Sequence, residues 1–538
     1  MYSIEIVLLM LLLVLASGYL ARLLPWLPLP LVQIGFGALV AAGFQEGVQL
    51  DPQVFFLLFL PPLLFLDGWR IPKTGLFRDR GPILALALGL VVFTVLGMGL
   101  LLHALIPALP LAVAFALAAV VSPTDPVALS SITARAPLPP RLRHILEGES
   151  LLNDASGLVC FRFAVAAALT GGFSLLSASA TFVWLAIGGV GCGVAITVAA
   201  NRVHARLSRR QGEEAGMPIL LSVLIPFGAY LLAERIGASG ILAAVAAGIT
   251  MSYVELSGRA LATTRVQRAA VWDMLQFALN GIIFVLLGEQ LPGILARAAA
   301  HHALGQLALY ALAVNLGLVA LRLVWVWATL RLLTVRAKRN GTAASGTGGR
   351  AAIVAGTLAG VRGAITLAGV LSLPLVLADG TPFPGRDLAV FLAASVILWS
   401  LLVASVCLPW LAGRVHVPAE PELQRAEDAA RLAAARAGVQ AVERAQTALP
   451  EARRDPDLYA QAAVRVMALY DERLKRDGSN GLDADVLRRA DAAERGLRLA
   501  GLQAERDCLF DLARHRHISD ELARHLVREI DLLEARYR

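Results

Sequence analysis

Long apolar stretches separated by short polar loops run through roughly the first 412 residues, and the remainder of the chain is polar. Most stretches are long enough to cross the roughly 30 Å hydrocarbon core of a bilayer as helices. The pattern predicts an all-α polytopic membrane domain at residues 1–412 and a cytoplasmic helical C-terminal domain at residues 413–538. The 13 predicted transmembrane helices cover 3–21, 29–44, 53–69, 82–103, 109–134, 145–169, 178–201, 217–234, 238–254, 270–290, 303–330, 351–376 and 388–412.

The composition supports this division and excludes several classes of protein. Of the 538 residues, 57% are hydrophobic and 16% are charged, whereas a typical soluble domain is about 25% charged. More than half of the charged residues lie beyond residue 412. A soluble enzyme, a disordered chain and a nucleic-acid-binding protein are therefore excluded. The net charge of +8 comes from basic membrane loops, and we expect no nucleic-acid partner.

The basic residues of these loops predict the orientation of the chain. Loops after odd-numbered spans hold nearly all of the loop Lys and Arg, whereas loops after even-numbered spans hold only Arg235, Arg297 and Arg386. Cytoplasmic loops of membrane proteins are enriched in basic residues. We therefore expect a multi-pass protein of a bacterial plasma (inner) membrane, with its N-terminus outside and its C-terminal tail in the cytoplasm.

Prolines interrupt the fifth span. Pro123 and Pro126 enclose Thr124 and Asp125. Each proline lacks an N–H and pushes the residue before it away from helical dihedral angles, so two of them three residues apart predict an unwound segment. Unwound backbone at membrane depth survives only where it is buried or lines a polar cavity. We interpret the segment as part of a binding site and not as a simple proline kink.

Glycines interrupt the twelfth span. The span also contains Arg362, which needs an acidic partner at this depth. Spans 5 and 12 hold matching positions if the chain consists of two inverted six-helix repeats, and a pair of disrupted helices at such positions indicates a transporter site. The interrupting residues are Gly356, Gly360, Gly363 and Gly369.

The sixth span carries the acidic residues of greatest interest. Asp154 lies about two helical turns inside the span, and intramembrane acids mark ion or proton pathways. Ser150 shares a helix face with it because the two are four residues apart. Glu149 is the expected partner of Arg362 in a structural ion pair, with Asn153 hydrogen-bonding nearby.

These residues predict cation chemistry. Hard monovalent cations prefer oxygen ligands, which Asp154, Ser150 and the carbonyls freed near Thr124 would supply; Asp67 of span 3 and Asp125 are further candidates. A buried carboxylate favours a neutral state, protonated or cation-bound. A carboxylate that holds either a proton or a cation, and is exposed to the two sides in turn, makes an antiporter. A channel would require a continuous lined pore, for which the chain has no repeated filter segment.

Two further intramembrane arginines need an explanation. We expect Arg322 to lie near a helix end and to extend its charge to the interface. Arg162 lies eight residues beyond Asp154, and it has two alternative interpretations: an ion pair with Glu289 or Asp273, or an electrostatic barrier to cations on the outer side.

At these residues the chain resembles the monovalent cation:proton antiporter-1 family of bacterial sodium/proton antiporters, which is related to the animal sodium/proton exchangers. The resemblance covers residues 1–412. It rests on SPTDPVALSSI (122–132), EGESLLNDASGLV (147–159), WDMLQFALNGIIFVLLGEQL (272–291) and VRGAITLAGVLSLP (361–374).

The resemblance implies 13 helices, with helices 5 and 12 broken and crossing, and a homodimer. It implies that Asp154 carries the ion and the proton, that Thr124 and Ser150 complete the Na+ ligands and that Asp125 lines the site. An asparagine at position 153, instead of an aspartate, is similar to the electroneutral branch of the family, in which one cation exchanges for one proton. Asp67 stands where the family has a glutamate, and Glu149 with Arg362 matches the family's stabilising ion pair.

We therefore predict a secondary active antiporter, and not an enzyme, that exchanges Na+, with Li+ or K+ as alternatives, for H+ without any cofactor. A K+/H+ antiporter is the alternative within the class, and an intramembrane aspartyl protease using Asp125 and Asp154 is the alternative outside it. The tail is interpreted as a solvated helical domain, with pH regulation through His515, His517 and His525 as the competing hypothesis.

Overall fold

The structure, a computed structural model, is helical throughout nearly all of the residues that it describes. Outside the helices, its described part contains short turns and an isolated β-bridge between Val376 and Pro382. The described residues are 2–24, 26–43, 52–71, 79–125, 129, 132, 140–170, 175–211, 216–255, 262–339, 350–376, 381–412, 421–448, 460–468, 482–515 and 520–537.

Two compact units divide the chain, residues 1–418 and 419–538. Within the described residues, 14 helices of the first unit have defined bounds, and they are numbered here in chain order. They are α1 (Tyr2–Leu23), α2 (Leu29–Gly43), α3 (Pro52–Arg70), α4 (Arg80–Leu105), α5 (Leu111–Val121), α6 (Pro140–Thr170), α7 (Leu175–Gln211), α8 (Gly216–Arg235), α9 (Gly240–Glu255), α10 (Ala262–Ala299), α11 (Leu304–Arg339), α12 (Arg350–Leu358), α13 (Ala364–Leu371) and α14 (Arg386–Ala412).

Eight helices in the described part are long and apolar enough to cross a membrane: α1, α4, α6, α7, α8, α10, α11 and α14. Three more, α2, α5 and α9, are apolar but shorter. An all-α, multi-pass architecture is therefore confirmed. The count of 13 crossings and the inverted repeat stay predictions.

Both helices that the sequence marks as interrupted lose their regular structure at the marked residues. Helix α5 ends at Val121, and residues 122–125 are not helical; Pro126 lies outside the described residues. The chain is likewise non-helical between α12 and α13. The two unwound segments meet, because the backbone N–H of Asp125 donates to the carbonyl of Val361 over 2.7 Å. Each segment thus satisfies a backbone group that the other leaves free.

Helix α4 contains a third irregularity, a π-helical segment at Ala85–Leu90. Such segments leave carbonyls without their regular helical donors. Side chains replace those donors: the Trp325 indole N–H donates to the Ala85 carbonyl over 3.0 Å, and the Ser156 hydroxyl donates to the Ala87 carbonyl over 2.7 Å. These bonds connect α4 to α11 and to α6.

The membrane helices pack as two groups. Helices α1–α3 and α7–α10 contact one another more extensively than they contact the second group, α4–α6 and α11–α14. Close approach of α3 and α9 within the first group requires glycine, because a Cβ at Gly68 or at Gly248 would collide with the facing backbone. Small residues serve this purpose in membrane helix packing. The candidate site described below lies where the two groups meet.

The second unit is also helical. It contains α15 (Pro421–Ala448), a helical stretch at 460–468, α16 (Leu482–Arg514) and α17 (Asp520–Tyr537). Helices α16 and α17 pack together, with Arg506 of α16 paired with Asp531, at 2.8 Å, and with Glu534 of α17. Of the suggested histidines, His515 bonds the Asp511 carbonyl over 2.9 Å, and His517 lies outside the described residues.

Candidate functional site

A small cavity lies between the two helix groups and brings together several of the predicted site residues. Its volume is about 30 Å³, enough for at least one water molecule. The first helix group contributes α3 and α10, and the second contributes the two unwound segments, α6 and α13. The lining residues are Leu60, Leu63, Leu64, Asp67, Pro123, Thr124, Asp125, Asp154, Asn280, Gly363, Ile365 and Thr366.

Three carboxylates line this cavity, those of Asp67, Asp125 and Asp154, and the described part of its lining includes no basic residue. Asp154 is 4% exposed. Gly363 makes room for Asp125, because a Cβ at this glycine would overlap the Asp125 carboxylate. Three adjacent carboxylates cannot all stay charged in a low dielectric without compensating positive charge. The cavity is therefore suited to hold protons or cations.

The other predicted ligands form a hydrogen-bonded cluster beside the cavity. The Thr124 hydroxyl lies 2.9 Å from the Ser150 hydroxyl and accepts a bond of 2.8 Å from the Asn153 amide N–H. Thr124 lines the cavity, whereas Ser150 and Asn153 lie behind it. The cluster joins the unwound segment after α5 to α6 and so positions the backbone next to Asp154.

The predicted partner of Glu149 is wrong. Glu149 accepts two hydrogen bonds from Arg322 of α11, at 2.6 and 2.9 Å, in a bidentate ion pair whose side chains are only 1% and 3% exposed. Thr124 donates a further, longer bond of 3.4 Å to Glu149. The expectation that Arg322 reaches the membrane interface is also wrong, because α11 continues to Arg339 and so places Arg322 near its middle.

Arg362 instead stabilises unwound backbone. It donates to the carbonyls of Val121, over 3.0 Å, and of Gly360, and its own N–H donates to the Ser400 hydroxyl over 3.0 Å. Within the described residues no ion pair joins it to Glu149. Gly360 lets both arginines pass, since a Cβ there would lie 2.7 Å from Arg322 and 2.9 Å from Arg362. The guanidinium thus replaces the helical donors that both interruptions remove.

Arg162 pairs with neither of its suggested partners. It donates to Glu234 at the end of α8 over 3.1 Å. Asp273 pairs with Arg70. Glu234 also accepts a bond of 3.2 Å from the Gly240 N–H, so the Arg162–Glu234 ion pair connects α6 to the turn before α9.

Sequence reasoning missed two polar residues that line the cavity, Asn280 of α10 and Thr366 of α13. An amide within the apolar run FALNGIIF was a detectable signal for Asn280. Thr366 carried little signal, because threonine is common in membrane helices. It enters the cavity because the helix restarts at Ala364 after the interruption.

Comparison with known proteins agrees with this arrangement. The family described as "Sodium/hydrogen exchanger, transmembrane" matches residues 8–414. The chain belongs to this family. The match covers the whole first unit except its extreme ends, and it includes every residue that lines the cavity.

Two similar proteins extend over almost the whole chain. The Escherichia coli K12 protein named "Uncharacterized Na(+)/H(+) exchanger YjcE" is 41% identical over 98% of both chains. The Bacillus subtilis protein named "Sodium, potassium, lithium and rubidium/H(+) antiporter" is 39% identical, over 99% of this chain and 78% of its own length. The similarity to both therefore includes the C-terminal unit.

A solved structure shares the fold. The sodium proton antiporter MjNhaP1 from Methanocaldococcus jannaschii superposes with a TM-score of 0.59 at 18% identity, and covers 77% of this chain and 98% of its own length. The resemblance to the cation:proton antiporters is confirmed at the level of family and fold.

Proposed function

We propose that this protein is a secondary active antiporter that exchanges Na+ for H+ across the membrane, with Asp154 as the residue that carries either the cation or the proton. One observation supports this most directly: Asp67, Asp125 and Asp154 line one cavity, and no basic side chain is among the described residues that line it. Because a buried carboxylate favours a neutral state, a proton and a cation compete for it. Competition for one site couples the two fluxes.

Alternating access is the mechanism that we propose. The cavity lies between two groups of helices that pack more extensively within themselves than against each other. Movement of one group past the other would expose Asp154 to each side in turn without opening a continuous pore. One carboxylate that trades one cation for one proton makes the exchange electroneutral.

Na+ is the cation that family membership favours, and Li+ and K+ are further candidates. Two Bacillus relatives, at 43% and 39% identity, are named as antiporters of sodium, potassium, lithium and rubidium. Family membership also favours transport over an intramembrane protease. A homodimer in the plasma membrane, with an external N-terminus and a cytoplasmic tail, completes the proposal.

Proton flux in proteoliposomes tests this function. Wild-type protein is reconstituted in vesicles that contain a pH-sensitive dye, and gradients of Na+, Li+ and K+ are imposed one at a time. We expect each transported cation to drive protons the opposite way, at a rate that is insensitive to a membrane potential set by a permeant anion. Absence of cation-driven proton flux would refute antiport, and a rate that follows the potential would refute electroneutrality.

A further inference from the structure

We infer that Asn280 and Thr366 contact the transported cation, and that Asn280 contributes to the choice among monovalent cations of different size. The inference rests on the proposed function and extends the site beyond the acidic residues. It follows from the side chains of Asn280 and Thr366 on the cavity wall, which make no hydrogen bond to the residues that the structure describes.

Asn280 lies on the face of α10 that lines the cavity, within an otherwise apolar stretch. It is half-buried, and its amide makes no hydrogen bond to any residue that the structure describes. Other amide N–H groups in the membrane unit do find acceptors: Asn315 donates to the Ala311 carbonyl one turn back in α11, and Asn153 donates to Thr124, although the Asn153 oxygen has no partner among the described residues. Because an unpaired amide is costly to bury, its position beside the carboxylates calls for a ligand.

Thr366 is the corresponding group on the opposite helix group. It is 1% exposed and lines the cavity, yet its hydroxyl makes no hydrogen bond to the described residues. Threonine hydroxyls inside helices commonly bond the carbonyl four residues back, as Thr357 does to Ile353 over 2.8 Å. For Thr366 that carbonyl belongs to Arg362 in the unwound segment, so the regular partner is missing.

These two residues complement the carboxylates chemically. Asp67 and Asp154 also make no hydrogen bond within the described part of the chain, and together the four side chains present two charged and two neutral oxygen donors to one small volume. Carboxylate, amide and hydroxyl oxygens are the ligands that hard cations take. Asp67 and Asn280 belong to one helix group, and Asp154 and Thr366 belong to the other. A cation held by all four would therefore contact both groups.

Neutral ligands are the ones expected to discriminate by size. Carboxylate charge attracts all alkali cations alike, whereas the number and reach of coordinating oxygens help to distinguish them. Asn280 is the longer of the two neutral side chains, so its oxygen sets how far the first helix group reaches towards the ion.

The test compares apparent KM values for Li+, Na+ and K+ in proteoliposomes. For Asn280→Ala and Thr366→Val we expect the KM for Na+ to rise about fivefold, the typical effect of losing one polar contact, with a nearly unchanged maximal rate. For Asn280→Gln, whose oxygen extends further into the cavity, we expect the KM for K+ to rise more than that for Li+. Matched controls are Asn315→Ala and Thr357→Val, which remove polar groups with partners inside their own helices and should leave all three KM values unchanged.

A purely structural role would give a different result. It would lower the melting temperature and the maximal rate and leave the ratios of KM between cations as in the wild type, and this outcome overturns the inference. If Asn280→Ala does not fold, Asn280→Ser provides the same measurement with a smaller change, and a wild-type KM ratio in that variant overturns the inference equally. Absence of cation-driven flux in the wild type would instead refute the proposed function together with this site.

Discussion

Helix α6 holds two buried carboxylates in contrasting surroundings. Glu149 is neutralised by the bidentate Arg322 pair, whereas Asp154 lines the cavity and makes no hydrogen bond within the described residues. The two are five residues apart, which turns them about 140° from each other around a helix of 3.6 residues per turn. One helix thus presents a permanently compensated charge to α11 and an uncompensated one to the cavity.

The difference separates structural from exchangeable charge. A carboxylate in a buried ion pair with an arginine does not need a proton or a metal ion for neutralisation, because the arginine is a permanent counter-charge. A carboxylate without a basic partner must acquire positive charge from outside the protein. The type of residue does not distinguish the two roles, but the partner does.

The largest effect is expected at Asp154. Asp154→Asn keeps the shape but removes the exchangeable charge, so cation-driven proton flux should fall to the level of protein-free vesicles. Its melting temperature should not decrease, because the substitution removes an uncompensated buried charge. Flux and thermal unfolding of the same preparation are the measurements. Substantial remaining flux would remove Asp154 from the carrier role.

Substitution of the arginines near Glu149 should lower the free energy of unfolding. Arg322→Ala leaves Glu149 buried and unpaired, and should lower the free energy of unfolding by about 3–5 kcal/mol. Arg362→Ala removes hydrogen bonds to backbone carbonyls and should cost less, about 1–3 kcal/mol. Unfolding of the detergent-solubilised variants measures both. A double variant, Glu149→Gln with Arg322→Met, should recover part of the loss.

One result for the two arginine variants would contradict this assignment of the Glu149 partner. A greater loss for Arg362→Ala than for Arg322→Ala would show that Arg362 is the main counter-charge of Glu149.

Competition at Asp154 predicts a pH effect of intermediate size. As pH falls on one side of the membrane, a larger fraction of the accessible carboxylate is protonated, so the apparent KM for Na+ on that side should rise. The limit for competition by one proton is about tenfold per pH unit. Initial rates at varied Na+ and pH give this dependence. A KM that does not change with pH would argue against a shared site.

The smallest effect is expected at Arg162. Its ion pair with Glu234 is half-exposed, and pairs of this kind contribute at most about 1 kcal/mol. Arg162→Ala should therefore change the melting temperature little, and Glu234→Gln should match it. A cation KM altered by Arg162→Ala but not by Glu234→Gln would favour the alternative role as an electrostatic barrier.

Much of the architecture could be predicted because it depends on local chemistry. Apolar length predicted the membrane helices, and Pro123 and the glycines around Arg362 predicted the interruptions, since the missing N–H groups and side chains act on their own backbone. The spacing on α6 also predicted that Ser150 shares a face with Asp154, whereas in the structure the Ser150 hydroxyl contacts Thr124 behind the cavity that Asp154 lines. The ligand roles themselves, like the orientation and the dimer, stay predictions.

Partners across helices could not be predicted in the same way. Arg322 and Arg362 are both intramembrane arginines, and the sequence contains no measure of which one reaches Glu149. That choice depends on where α11 begins and ends, and on the room that Gly360 leaves for both side chains. Asn280 and Thr366 became site residues only through the packing of α10 and α13 around one cavity.

The sequence by itself determined that this is a membrane protein with acidic residues beside two interrupted helices, because hydrophobicity and backbone restrictions belong to individual residues. Only the tertiary structure decided which charges are compensated. Electrostatic compensation depends on distances between side chains that lie far apart in the chain, and these distances exist only after the helices pack.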